Sequence, residues 1–183
     1  DAYNTNVSYY TDKFFPAAGT EMKKTPIVKR LQPRVGISYP VSVSTVFHVN
    51  YGSFLQRPAY ERMVFSRYQA LSNTYLRLGN PLLKPQDTES YDVGLTQGLG
   101  EGFTLDVSGY YKDVSNLIQM AVYDNKYAQP RTYETFVNRD YADIRGFRVS
   151  FNKRKGWITG SLKYNYSVAT GSSSTSFDAT PTF

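Results

Sequence analysis

Side-chain character alternates with a period of two through one stretch of this chain after another. In 156–168, Ile158, Leu162, Tyr164, Tyr166 and Val168 fall on one side with Gly160, while Thr159, Ser161, Lys163, Asn165 and Ser167 fall on the other. Successive strand side chains point to opposite faces, so this is a strand with one apolar and one polar face. Phe103, Leu105, Val107 and Tyr111 oppose Thr104, Asp106, Ser108 and Lys112 in the same way. The pattern recurs at 34–39, 43–56, 91–96 and 147–152, and no helical period of comparable quality appears. It predicts about six strands, roughly 29–39, 43–56, 87–98, 102–119, 135–152 and 156–169.

The length of these strands narrows the fold further. Ordinary globular strands average about 5–6 residues, whereas about 9–11 are needed to cross a bilayer at a tilt. Connections alternate between short (40–42, 99–101, 153–155) and long (10–28, 57–86, 120–134), with a polar stretch from 170 onwards. Tight turns at one end and long loops at the other are the habit of transmembrane β-barrels. Tyr39, Tyr51, Tyr111, Tyr166 and Trp157 fall near strand ends, where amphipathic rings settle at a membrane interface. Strands in lipid must close, because unpaired edge groups find no water there. Single-chain barrels begin at about eight strands. The expectation is therefore an all-β antiparallel meander of long transmembrane strands, with residues 1–183 forming part of a larger barrel. Phe183 follows a loop-like stretch containing Pro181 and is not expected to end a closing strand.

Composition removes many other functions. The 183 residues contain no Cys and one His, His48, which excludes disulfide scaffolds, thiolate metal sites and cysteine nucleophiles. No paired carboxylates at an acid/base spacing, no phosphate loop and no nucleophile motif are present, so the chain is not expected to be an enzyme, to carry a catalytic residue or to hold a metal or cofactor. Asp87, Glu89, Asp140 and Asp143 invite a calcium reading, but their spacing fixes no geometry. The net charge is +6 with pI about 9.4, yet Lys and Arg are dispersed along the chain, which argues against nucleic acid as a partner.

Two segments carry more than generic barrel character: VFHVNYGSFLQRPAY at 46–60 and GNPLLKPQDTESYDVGL at 79–95. With LDVSGYYKDVSNLIQ, NRDYADIRGF and YNYSVATGSSS following in order, most of 30–175 resembles the TonB-dependent outer-membrane receptors. The likeness is to the branch that often carries a carboxypeptidase-regulatory-like domain. It implies a barrel of about 22 strands with a plugged lumen, of which this chain is a segment without plug domain, TonB box or closing strand. It also implies the outer membrane of a Gram-negative bacterium and energised uptake of a scarce, bulky nutrient such as a siderophore, cofactor or glycan. The implied partners are outer-membrane lipid, the TonB system through a plug domain absent from this chain, and a surface lipoprotein. Two alternatives stay open at this point. One is a structural barrel docking partner proteins in an envelope complex, and the other is a soluble all-β carbohydrate-binding module.

Two groups of residues follow from this reading. Arg34, His48, Asp92, Asp106, Lys112, Arg148 and Lys163 lie on polar strand faces and are expected to face the lumen. Arg57, Tyr60, Phe65, Tyr68 and Tyr75 lie in the 57–86 loop, where aromatic rings stacking on a sugar or chelate would meet an external ligand. Gly79, Asn80, Pro81 and Pro85 read as a mechanical device that stiffens re-entry from that loop into the next strand.

Overall fold

A computed structural model describes residues 2–3, 8–10, 22–64, 66–68, 76–124 and 132–171. The first four strands are short: β1 (Ala2–Tyr3), β2 (Ser8–Tyr10), β3 (Met22–Lys24) and β4 (Val28–Lys29). Then follow β5 (Arg34–Pro40), β6 (Thr45–Gln56), helix α1 (Tyr60–Val64), β7 (Ser66–Tyr68) and β8 (Leu76–Leu78). The last four are β9 (Gln86–Gly100), β10 (Phe103–Asp124), β11 (Thr132–Lys153) and β12 (Gly160–Gly171). Strands β5, β6, β9, β10, β11 and β12 pair with their sequence neighbours as an antiparallel wall, with β8 and then β7 attached to the outer part of β11.

Registers across the wall sort the side chains into two faces. One row runs Ile37, Val49, Val93, Gly109, Phe147 and Tyr166; the next runs Tyr39, Phe47, Leu95, Val107, Val149 and Tyr164. On the opposite face the rows read Gly36, Asn50, Asp92, Tyr110, Gly146, Ser167 and Ser38, His48, Gly94, Ser108, Arg148, Asn165. The apolar face is open: Val107 is 41% exposed, while the adjacent Ser108 on the polar face of the same strand is 4% exposed. That is the reverse of a water-soluble sheet, which buries its apolar side. Among the described residues the buried hydrophobic side chains are Met63, Leu83 and Ala121, the first two in the 57–86 loop and the third near the outer end of β10. A soluble carbohydrate-binding module would not leave such a face uncovered.

Aromatic rings mark both limits of the apolar face. Tyr51, Tyr91 and Tyr111 are cross-strand partners in one row, with ring centroids 5.1 and 6.4 Å apart. At the other limit Phe103 stacks on Phe151 at 5.4 Å. From Tyr111 to Phe103 the strand advances about 27 Å, or about 20 Å once tilted by 35–45°, close to the ~25 Å band of an outer-membrane barrel.

Several boundaries depart from the alternation. β10 runs on to Asp124 and β11 starts at Thr132, so much of the stretch expected as a 120–134 loop is ladder. Val122 and Tyr123 still pair with Glu134 and Tyr133. A bulge between Val114 and Leu117, with Asn116 at φ 58°, shifts the pairing there and breaks the simple period. Lys29, expected to open the 29–39 strand, pairs with Ala2 instead, and Val28, expected in the preceding connection, pairs with Tyr3. Trp157 and Ile158 precede β12, because Gly156 turns the chain at φ 104°. The 57–86 loop carries the short helix α1 and strands β7 and β8. The polar stretch after 171, Phe183 included, lies outside the described residues.

The wall leaves no room at Gly146. A Cβ added there would collide with the backbone oxygen of Tyr166 and with the Tyr110 ring, whereas one added at Gly160 would meet nothing within 4 Å. Gly146→Ala should therefore destabilise the assembled barrel by about 1–3 kcal/mol, while Gly160→Ala should be nearly silent. Denaturant titration of the folded, heat-modifiable form checks this, and equal midpoints for the two variants would contradict the described packing.

Candidate polar-face site and loop clamp

Alternation puts a charged or polar residue at every second position, and the antiparallel register then sets those residues beside one another. All seven of Arg34, His48, Asp92, Asp106, Lys112, Arg148 and Lys163 lie on the polar face. Asp92 is the centre of the group. Its carboxylate lies 3.5 Å from Arg148, 3.7 Å from His48 Nε2, and accepts from Asn50 Nδ2 at 3.5 Å. These contacts are long and the groups partly exposed, so each pair is worth at most about 1 kcal/mol. Their value lies in arranging opposite charges on one surface.

Large side chains on this face lie over glycines. The His48 ring covers Gly94, and Tyr110 covers Gly146. Tyr110 is held between cations: the Arg148 guanidinium is 5.3 Å and the Lys112 ammonium 5.9 Å from its ring centre, and its hydroxyl donates to Asn165 at 3.1 Å. Asp106 accepts from Thr96 at 2.6 Å, away from the Asp92 group. Arg34 stacks over Phe54 at 4.6 Å, and the two border a hollow of about 310 Å³ shared with Asn50, Ser90 and Asp92. Lys163 is exposed beside Ser150. Asn50 and Tyr110 were not singled out from the sequence. Tyr110 could have been, because it is an aromatic ring at polar parity in a strand with Gly109 beside it.

Of the long-loop residues, Arg57 and Tyr60 have described side chains. Arg57 and Tyr60 are exposed, Tyr60 opening α1. Tyr68 closes β7, whose backbone pairs with β8, while Phe65 and Tyr75 lie outside the described residues. What the loop does show is a clamp. Asn80 Oδ1 accepts from the Leu82 N–H at 3.0 Å, forming a local turn, and Asn80 Nδ2 donates to the Phe136 carbonyl at 2.8 Å. Asn138 then grips the same segment from β11. Its Oδ1 accepts from the Lys84 N–H at 2.7 Å, and its Nδ2 donates to the carbonyls of Lys84 and Asn116, both at 2.9 Å. Asn116 donates to Asp87, which pairs with Arg30 at 2.8 Å. The mechanical reading of 79–85 thus acquires its partners, the bulge residue Asn116 and Asn138.

Comparison with known proteins agrees with this geometry. A model of the TonB dependent receptor-like β-barrel family matches residues 1–182. The hemophore receptor HasR of Serratia marcescens, solved as a double mutant with its hemophore HasA and heme, is similar in structure at a TM-score of 0.61 and 20% identity. The match covers 81% of this chain and 24% of that one. The FrpB iron transporter of Neisseria meningitidis is similar at a TM-score of 0.52 and 15% identity, over 78% of this chain and 20% of its own. The chain thus spans about a quarter or less of the length of these solved proteins.

Asn138→Ala would remove three hydrogen bonds and leave a backbone donor and two carbonyls without their partner, a loss of about 1–3 kcal/mol. Faster amide exchange at Lys84 and earlier protease nicking within 57–86 should follow, with the wall itself unaffected. Unchanged exchange at Lys84 would remove the clamp from this account.

Proposed function

Because the chain belongs to the TonB-dependent receptor family, as part of its β-barrel, we propose that it forms wall and external loops of an importer for a scarce, bulky nutrient. It is an outer-membrane protein of a Gram-negative bacterium, and members of its family are transporters and receptors, not enzymes. The proposed cargo class is a siderophore, cofactor or glycan. Heme and iron are named for the two similar structures, which supports a chelate without selecting one for this chain. Energy would come from the TonB system through a plug domain, outside these 183 residues.

The observation that carries this reading is the inversion of the wall. Its apolar face is open, bounded by rings at both limits, and its polar face holds the Asp92 group. A lipid face and a water-filled or plugged lumen demand this arrangement. Asp92, Arg148, His48 and Asp106 would then line the lumen, where unlike charges meet a plug or guide a polar cargo. The 57–86 segment and the β10–β11 hairpin, tied by the clamp, would meet the ligand or a surface lipoprotein that presents it.

Lysine substitution separates the two faces. Val107 lies in the middle of the apolar band and Ser161 on the polar face at exposed β12. A cation on the lipid face near the bilayer midplane costs about 2–4 kcal/mol. Val107→Lys should therefore deplete folded receptor from the outer membrane and abolish TonB-dependent uptake, with Ser161→Lys retaining both. Equal tolerance would refute the membrane orientation. Normal assembly with no TonB-dependent uptake of any chelate, cofactor or glycan would leave the barrel and overturn the importer.

A further inference from the structure

The two limits of the apolar face carry opposite charge. Just beyond the tyrosine row, Glu89, Asp113 and Asp143 are direct cross-strand neighbours, three negative charges against the one positive Arg145 that pairs with Tyr111 in that row, net −2. At the short-turn end, the ionisable side chains of 40–44, 99–102 and 153–159 are Lys153, Arg154, Lys155 and Glu101, three positive and one negative, net +2. Two of these turns lie against each other. The Arg154 N–H donates to the Gly102 carbonyl at 2.9 Å, and the Lys155 side chain packs over Gly102. Lys153 Nζ stands 5.0 Å from the Phe103 ring, at the last ring pair of the apolar face, so this charge sits where the apolar band ends. Arg154 and Lys155 are exposed and have no carboxylate partner among the described residues. Trp157 follows at 96% exposure, and Val43 and Leu99 are exposed on the neighbouring turns.

We propose that Lys153, Arg154 and Lys155 bind the phosphate of an anionic glycerophospholipid in the leaflet on the short-turn side, with Trp157 resting at the level of its ester groups. A guanidinium matches phosphate oxygens in a two-point geometry, and an indole prefers the depth at which headgroup meets chain. Together they set how deep the wall sits, because the lipid is gripped at the edge of the apolar band. The acidic row at the opposite limit repels such headgroups, so the site belongs to one leaflet. This rests on the sheet spanning the membrane.

The test uses the complete receptor in nanodiscs of phosphatidylcholine with a minor fraction of phosphatidylglycerol, counting retained phosphatidylglycerol by native mass spectrometry. Each basic residue near a membrane surface contributes about fivefold. The triple variant K153Q/R154Q/K155Q should thus lose retention by about a hundredfold, on the order of three such factors, since Glu101 is common to both proteins. Arg154→Gln alone, in an exposed turn, should lose about fivefold and serves if the triple variant does not assemble. Lys163→Gln removes the same charge from the polar face near the same end and should change nothing. Unchanged retention in the Arg154 and triple variants would overturn the site. So would displacement by inorganic phosphate as readily as by added lipid, which would mark a free-phosphate site, or equal losses for Lys163→Gln. Failure of the wild-type receptor to enter nanodiscs would instead sink the membrane reading, and the lipid site with it.

Discussion

Backbone pairing in a medium without water is the constraint on which the rest of this structure depends. Each peptide group facing hydrocarbon must find its partner within the sheet, and the wall answers with long, unbroken ladders between β6, β9, β10 and β11. Once the ladder is continuous, the period of two does the sorting. Apolar residues line one face and polar residues the other, with no side-chain core between them. The outer strands β5 and β12 are each paired on one side only among the described residues, and closure of a barrel is what such edges require.

Sorting by parity also explains the chemistry of the polar face. Glycines alternate there with large polar side chains, and His48 over Gly94 and Tyr110 over Gly146 occupy the space that a second side chain would take. The Asp92 group follows from register, since Asn50 and His48 on β6 and Arg148 on β11 converge on β9 through paired rows. A slip of one residue would send every one of these groups into lipid, so the burial cost of charge guards the register. Outside the membrane the rules change. There the hairpin and loop have water and a few buried apolar side chains, Met63, Leu83 and Ala121, and specific amide side chains tie them together.

Much of the wall was legible because lipid enforces the alternation most strictly where the strands cross it. Legibility failed where that enforcement stops. Past the bulge at Asn116 the outer ends of β10 and β11 lose the simple period, so 120–124 and 132–134 read as loop although they pair. Lys29 read as the start of the 29–39 strand, but pairs with a different part of the chain. At the polar face, all seven singled-out residues share one side because parity alone decides that. Tyr110 and Asn50 escaped notice because aromatic and amide residues suit either face. Asn138 was invisible as a clamp, because its partners lie at Lys84 and Asn116.

By itself, then, the order of residues determined the two-faced strands, the family and which charged groups share a side, since side-chain parity is a local property that the membrane environment makes strict. Which of those groups meet was decided only by tertiary structure: Asp92 with Arg148, the loop's Lys84 with Asn138, the basic turn 153–155 against Gly102. Those contacts join residues of separate strands and loops, and their positions follow from strand register, bulges and turn geometry, none of which a period of two encodes.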